Sequence, residues 1–384
     1  MFIVILGSVL ALMHLYLWLR LVRDTTRAGR LRWVLTGVLL ALAAVLVAAL
    51  MLPRVVGPAE AGWFAWPGYL WFGLAAYLFL ALLVLEPVRL ILRRRARRET
   101  RCEAADLTRR LFLARAGAAV AGVTSVAVVG YGTVRAVGPP DVLQVPVRLR
   151  GLDPALRGFR IAVVSDIHLG PLAGRAHTER LVSMINEADA DLVAIVGDVV
   201  DGTVDQLGSA AAPFKDLVSR EGTFFVTGNH EYFVDDTMSW LRELERLGVQ
   251  PLRNENTPIR RGGAVLNVAG VNDLAGRRYD DGPDFDRALA GVHPDGPTVL
   301  LAHQPVQVEQ AAARGVDLQL SGHTHGGQMW PFHYLVRAEQ PSLAGLSTVD
   351  GTQLYVTRGA GFWGPPVRVG APPDITVLTL EREP

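Results

Sequence analysis

Four uncharged apolar runs, Phe2–Leu19, Trp33–Leu52, Ala61–Leu85 and Ala116–Val134, dominate the amino-terminal part of the chain. A helix needs about 20 apolar residues to cross roughly 30 Å of hydrocarbon, and each run approaches or passes that length. Helices on the surface of a soluble core keep a polar stripe; these runs have none. The pattern predicts four transmembrane helices near 2–19, 33–52, 68–85 and 116–134. The third is expected to start after Pro67-Gly68, with Trp63, Trp66, Tyr69 and Trp71 as an interfacial aromatic belt. Gly138-Pro139-Pro140 then breaks the last helix. Residues 1–137 are accordingly read as a transmembrane region and 138–150 as a linker. Within the linker Leu143–Arg150 alternates like a strand, which Pro146 would confine to a sheet edge.

From residue 151 the rhythm changes. The short runs Phe159–Ser165, Leu192–Val196, Thr223–Thr227, Val265–Ala269, Thr298–Ala302 and Leu318–Ser321 read as strands. Thr178–Glu187, Phe214–Ser219 and Asp236–Leu247 carry helical spacing. Strand and helix signals that alternate predict an α/β fold, and 151–384 is long enough for one domain with a substantial core.

Charge sharpens the division. Residues 1–150 hold 19 Arg against seven acidic residues, a net +12, and residues 151–384 hold 19 basic against 30 acidic residues, a net −11. An acidic second half argues against a nucleic-acid partner, because backbone phosphates are bound by Lys and Arg. The basic excess lies between apolar runs, at Arg20–Arg32 and Arg89–Arg115, so the positive-inside rule puts both loops in the cytoplasm. The amino terminus and everything after the fourth helix are then expected outside, in a multi-pass plasma-membrane protein with an extracytoplasmic second domain. Thr108-Arg109-Arg110-Leu111-Phe112-Leu113 opens the fourth helix and resembles a twin-arginine export signal. Engagement of that export machinery and a plain cytoplasmic helix end both remain open readings. A single cysteine, Cys102, excludes a disulfide framework within the chain.

The candidate chemistry follows the strands. Asp166-Ile167-His168, Gly197-Asp198, Gly228-Asn229-His230-Glu231, His303 and Gly322-His323-Thr324-His325-Gly326-Gly327 each fall just past a strand's carboxyl end, where open α/β sheets place their sites. Taken singly, Asp166 or Asp198 could be a helix cap and Asn229 ordinary turn chemistry. Five of nine histidines inside one ordered set point instead to a two-metal hydrolase. Asp201 and Glu231 are weaker, either support for ligands or solvated loop carboxylates. Gly326 and Gly327 would allow close backbone approach. His14, His177, His293 and His333 are read as non-ligands, His333 being near the metal loop. Met329, Trp330, Phe332, Phe362 and Trp363 are read as core, with a rim facing lipid as the alternative.

These blocks resemble, in order, those of the calcineurin-like metallophosphoesterases. Ser321–Pro331 and Arg358–Gly364 resemble that family's membrane-associated branch. The resemblance implies a four-layer α/β/β/α sandwich with two metal ions between its sheets. It implies that Asp166, His168 and His325 hold the first ion, that Asn229, His303 and His323 hold the second, and that Asp198 bridges them. Oxygen and nitrogen donors without thiolate suit Mn, Fe or Zn. Such a pair would make hydroxide available for in-line attack on phosphorus. His230, one residue past a ligand, would point inward and protonate the leaving oxygen. The expected reaction is hydrolysis of a phosphate ester, a phosphodiester of a membrane or envelope molecule, with lipid-linked substrates included. The alternatives are a phosphomonoesterase or nucleotidase for soluble substrates and a non-catalytic metal-stabilised receptor or assembly module. A transporter is the weakest reading, since His14 alone is ionisable within a run.

Overall fold

The computed structural model describes residues 2–99, 103–234 and 236–383; Cys102 lies outside them. The chain divides into two compact units. One comprises Met1–Val56, Ala61–Val134 and Gly364–Val367, and the other Gly57–Glu60, Arg135–Trp363 and Arg368–Pro384.

The first unit is helical. Its segments Val4–Arg23, Arg30–Met51, Glu60–Leu92 and Thr108–Val137 are long and apolar enough to cross a membrane. Phe2–Leu17 continues into a π-helical turn at Trp18–Arg23. The third helix does not begin after Pro67-Gly68 as expected; it runs from Pro58 to Glu99 with Pro67 and Pro87 inside it. A proline withdraws only its own N–H from the ladder, a defect that packed membrane helices tolerate. Gly68 lets this helix approach the second, because a Cβ there would collide with Ala49. Trp71 is not at an interface either. It is buried among Met13, Leu17, Leu46 and Leu78, and its indole N–H donates to His14 Nε2 at 3.0 Å. Charges collect at one end of the bundle. Arg20 pairs with Asp24 at 3.0 Å and with Glu86 at 2.6 Å, and Arg89 pairs with the same two carboxylates.

The second unit contains two six-stranded sheets. The first has the order β1 (Asp141–Leu149), β12 (Asp374–Arg382), β2 (Arg160–Val164), β3 (Leu192–Val196), β4 (Thr223–Val226), β5 (Val249–Pro251). The second runs β10 (Gly345–Val349), β11 (Thr352–Val356), β9 (Leu318–Ser321), β8 (Thr298–Leu301), β7 (Ala264–Gly270), β6 (Glu255–Arg261). The stretch read as a linker with strand character supplies β1, and Pro146 sits on that edge strand paired only with β12. Parallel pairing joins β2 to β3 to β4 in one sheet and β7 to β8 to β9 in the other. Central parallel strands are covered on both faces, which is why β2, β3 and β8 read as unbroken apolar runs.

Between the sheets, Ile161, Val163, Ala194 and Val196 meet Leu266, Val268, Val299, Leu301 and Leu320. The outer face of the first sheet packs against Leu181, Ile185, Leu207, Trp240 and Leu244 from helices Arg175–Glu187, Val204–Ala211 and Thr237–Arg246. Phe285, Ala288 and Ala311 cover the outer face of the second. The result is the expected four-layer α/β/β/α sandwich. The helix expected at Phe214–Ser219 lies elsewhere. It forms at Val204–Ala211, where Gln206 Oε1 accepts from the Thr203 N–H at 3.1 Å, and is followed by a 3₁₀ turn at Ala212–Asp216 that Pro213 opens.

Candidate metal centre

All the expected ligand residues leave the carboxyl ends of parallel strands and meet at one rim of the sandwich. Asp166 and His168 follow β2, Asp198 follows β3, Asn229 follows β4, His303 follows β8, and His323 and His325 follow β9. Five of the seven have left-handed backbone: Asp166, His168, Asp198, His323 and His325 have φ between 50° and 68°. Non-glycine residues enter that region at a cost, and such strain gathers at functional sites when the surroundings enforce it.

Interlocking loops do the enforcing. The Asp166 N–H donates to Gly197 O at 3.1 Å and the His168 N–H to Asp198 O at 3.1 Å. The His323 N–H donates to Asp166 Oδ2 at 3.0 Å, and the His230 N–H to Asp198 Oδ1 at 2.9 Å. Glu231, weakly read from sequence, is buried and accepts from the N–H groups of Asp198 (3.0 Å), Val199 (2.7 Å) and Gly228 (2.6 Å). It is therefore a brace for the Asp198 loop, and burial followed by the nearby Asp198 charge raises its carboxyl to about 7. Asp201 Oδ1 accepts from both His168 Nδ1 (3.1 Å) and His230 Nδ1 (2.6 Å). That turns each ring's Nε2 inward.

Three groups of donor atoms result, each within 4.8 Å: Asp166, His168 and His325; His168, Asp198 and His230; and Asp198, His303 and His323. Asn229 Oδ1 faces His323 Nδ1 at 2.9 Å beside the third group. His168 Nε2 and His325 Nε2 meet at 3.1 Å, where one imidazole N–H donates to the other ring. One observation fits a cation here. His303 gives its Nδ1–H to Val196 O at 2.7 Å, and its buried Nε2 lies 3.2 Å from Asp198 Oδ2 without hydrogen-bond geometry. A ring nitrogen and a carboxylate oxygen brought together in a buried place are donors that a cation can share.

The electrostatics divide the ligands: burial opposes a charged His303, but Asp198 outweighs it and raises that imidazole well above its ordinary value. Burial opposes the ionised form of Asp198, but the positive field of His303, His230 and His168 outweighs it and holds the carboxyl well below the usual range. Burial, then the Arg368 charge, pushes His325 well below the ordinary imidazole value; burial, then His303, takes His323 to about 3. Both are neutral, as ligands must be. Burial works against the charged form of His230, yet Asp198 and Asp201 raise it to about 9.

Residues 159–327 match the family described as calcineurin-like phosphoesterase. The chain is 41% identical over 291 residues to the Bos taurus "Transmembrane protein with metallophosphoesterase domain", covering 73% of this chain and 65% of that one. The protein of the same name from Danio rerio is 40% identical over 66% of this chain and 60% of its own length. A metallophosphoesterase of Helicobacter pylori is 38% identical over 66% of this chain and 68% of its own. The chain belongs to the calcineurin-like metallophosphoesterases. It spans somewhat under two thirds of the two vertebrate relatives it matches. The family is one of metal-dependent phosphoesterases, and the three donor groups are this metallophosphoesterase's candidate metal-binding residues.

One sequence reading needs correction. The aromatic set was read as core, but only Met329 and Phe362 are buried; Trp330, Phe332 and Trp363 are each about half exposed. Helix His333–Glu339 buries none of its residues and leaves Tyr334 and Leu335 outward. Arg368, which no motif marked, is buried behind His325; its only trace in sequence is a lone cation between Val367 and Val369. The His333 ring lies tilted against Tyr334, centroids 4.0 Å apart, and belongs to no donor group.

Close packing makes one test direct. A Cβ on Gly322 would collide with Ser165 Oγ and Asp166 Oδ2. Gly322→Ala is expected to lower stability by about 1–3 kcal/mol and to weaken metal uptake, read by thermal melts with and without manganese. An unchanged melt in both would contradict this packing.

Proposed function

We propose that the chain is a membrane-anchored, binuclear metal-dependent phosphoesterase that hydrolyses a phosphodiester of a membrane or envelope molecule. The observation that carries this is the convergence of the expected ligands into adjoining donor groups that share Asp198 and His168. Asp166, His168 and His325 would hold one cation, Asn229, His303 and His323 the other, and Asp198 both. Two cations held there would supply charge stabilisation at phosphorus and an activated water. The chain's own part is to orient the ester and move a proton. His230 keeps Nδ1 on Asp201 and turns Nε2, 4.0 Å from Asp198 Oδ2, toward the centre. It holds a proton at neutral pH and would give it to the leaving oxygen.

The surroundings support a lipid-bearing substrate. Phe233 and Trp363, both half exposed, flank His230 with ring centroids at 5.2 and 5.7 Å. Trp330, Phe332, Tyr334 and Leu335 add outward apolar surface nearby in sequence. Exposed aromatics grouped beside a reactive side chain suit acyl chains. The loop charges support an extracytoplasmic catalytic unit on a plasma-membrane anchor.

Purified full-length protein loaded with manganese should hydrolyse bis-p-nitrophenyl phosphate faster than the p-nitrophenyl monoester; a strong monoester preference would sink the diester reading. Trp363→Ala should lower kcat/KM for a long-chain lipid phosphodiester about tenfold more than for the soluble diester, since burying an aromatic contributes about 1.5–3 kcal/mol. Equal losses on both would remove lipid contact from the account. A reporter fused after Pro384 should be active outside the cytoplasm only.

A further inference from the structure

The metal loop and a neighbouring segment present a ridge of outward apolar side chains. Trp330, Phe332, Tyr334 and Leu335 on the first, and Trp363 on the second, are each half exposed or more. Hydrogen bonds join the two segments. Gln328 Nε2 donates to Trp363 O at 2.9 Å, while the Trp363 N–H donates to Gln328 Oε1 at 3.0 Å. The Trp330 N–H donates to Val369 O at 2.9 Å and the Val369 N–H to Gln328 O at 2.8 Å. Gly327, with φ at 82°, seats helix His333–Glu339 on the loop, since a Cβ there would lie 2.5 Å from His333 Cα. The ridge is one fixed surface rather than a set of loose side chains.

Composition and chain continuity point to what the ridge meets. Residues 326–336 and 359–367 contain no acidic residue, lysine or arginine, although residues 151–384 hold 30 acidic and 19 basic residues. Directly after Trp363 the chain enters the helical unit, to which Gly364–Val367 belongs. There a Cβ on Gly73, within the membrane-length span Glu60–Leu92, would come within 3.1 Å of Val367 Cγ2 and 3.7 Å of Pro365 Cβ. Trp363 is therefore one peptide bond from a segment packed on that span. Trp and Tyr rings gather where a bilayer meets water, because the ring is apolar and its N–H or O–H is not. The chain itself thus brings lipid to the ridge, which singles lipid out over a separate protein.

We propose that this ridge docks into the lipid surface on its own side of the membrane, with Phe332, Leu335 and Trp363 buried at the boundary between headgroups and acyl chains. Docking holds the rim of the metal centre at headgroup level, beyond what a tether of four spans does. The inference goes beyond the substrate reading and holds for any phosphoester the centre takes. It rests on the four apolar helices spanning a bilayer.

The test is spin-label accessibility in the full-length protein, loaded with diamagnetic zinc and reconstituted into phosphatidylcholine vesicles. One label site at a time is introduced in a Cys102→Ser background, as Phe332→Cys, Leu335→Cys or Trp363→Cys. Val123→Cys, at an exposed apolar position of the fourth span, is the lipid control; Val218→Cys, exposed ahead of β4 at the amino end of that strand, is the water control. Oxygen concentrates in hydrocarbon, whereas a polar nickel chelate is excluded from it. Labels at 332, 335 and 363 are expected to relax with oxygen more than with nickel, as at 123 and opposite to 218. Nickel-dominated relaxation at 332 or 335, with 123 still in lipid, would overturn the docked ridge, even where 363 reads lipid and marks a substrate pocket instead. Protection from both relaxants would overturn it in favour of a protein cover. Nickel-dominated relaxation at 123 would overturn the membrane reading beneath it, a separate result.

Discussion

Asp198→Asn is expected to lower turnover of a phosphodiester by about three orders of magnitude and to leave the protein with one bound cation or none. Asp198 is the carboxylate common to two donor groups, with His303 Nε2 at 3.2 Å and His168 Nε2 at 3.8 Å from its Oδ2. An amide offers one neutral oxygen where the carboxylate offers two charged ones. Metal charge stabilisation contributes several kcal/mol to phosphoryl transfer, and each 1.4 kcal/mol or so is a decade in rate. The Asn keeps an oxygen for the His230 N–H, which donates to Oδ1 at 2.9 Å, so the fold should survive and the loss can be read as chemistry. Turnover within tenfold of wild type, with two ions still bound, would remove Asp198 from the centre.

The second large effect separates proton transfer from metal holding. His230→Ala should keep both cations and lose about 10²–10⁴ in kcat, with a small change in KM, the range typical of a positioned acid or base. Asp201 fixes the ring through Nδ1, Phe233 and Trp363 pack against it, and its side chain retains 13% exposure through which an ester could reach Nε2. Paired measurements of metal content and kcat decide the matter. Loss of a cation would place His230 among the ligands, as its membership of the His168–Asp198 group also allows.

These expectations were legible in the chain to different depths. Strands such as Leu192–Val196 were visible because a parallel strand covered on both faces must be apolar throughout. The candidate ligand set was visible because each member follows such a strand. The aromatic set misled because hydrophobicity says what would favour burial, not what is available to cover it; Trp330 and Trp363 follow glycine-rich loops that turn them outward. The start of the third apolar helix was misplaced for a related reason. Pro67 is a strong stop signal in water but a tolerable defect among packed helices.

Local pattern by itself determined four membrane-length helices, an α/β unit and the candidate metal-binding residues. Each rests on nearest-neighbour chemistry: apolar length, strand period, and donor atoms at strand ends. Only the tertiary structure decided which atoms those donors present. Asp201 turns two imidazoles inward, Glu231 holds the Asp198 loop through three backbone N–H groups, and Arg368 reaches His325 from 43 residues away. Such contacts join residues with no shared period or motif. They exist because desolvated charges must find partners wherever the packed chain brings them.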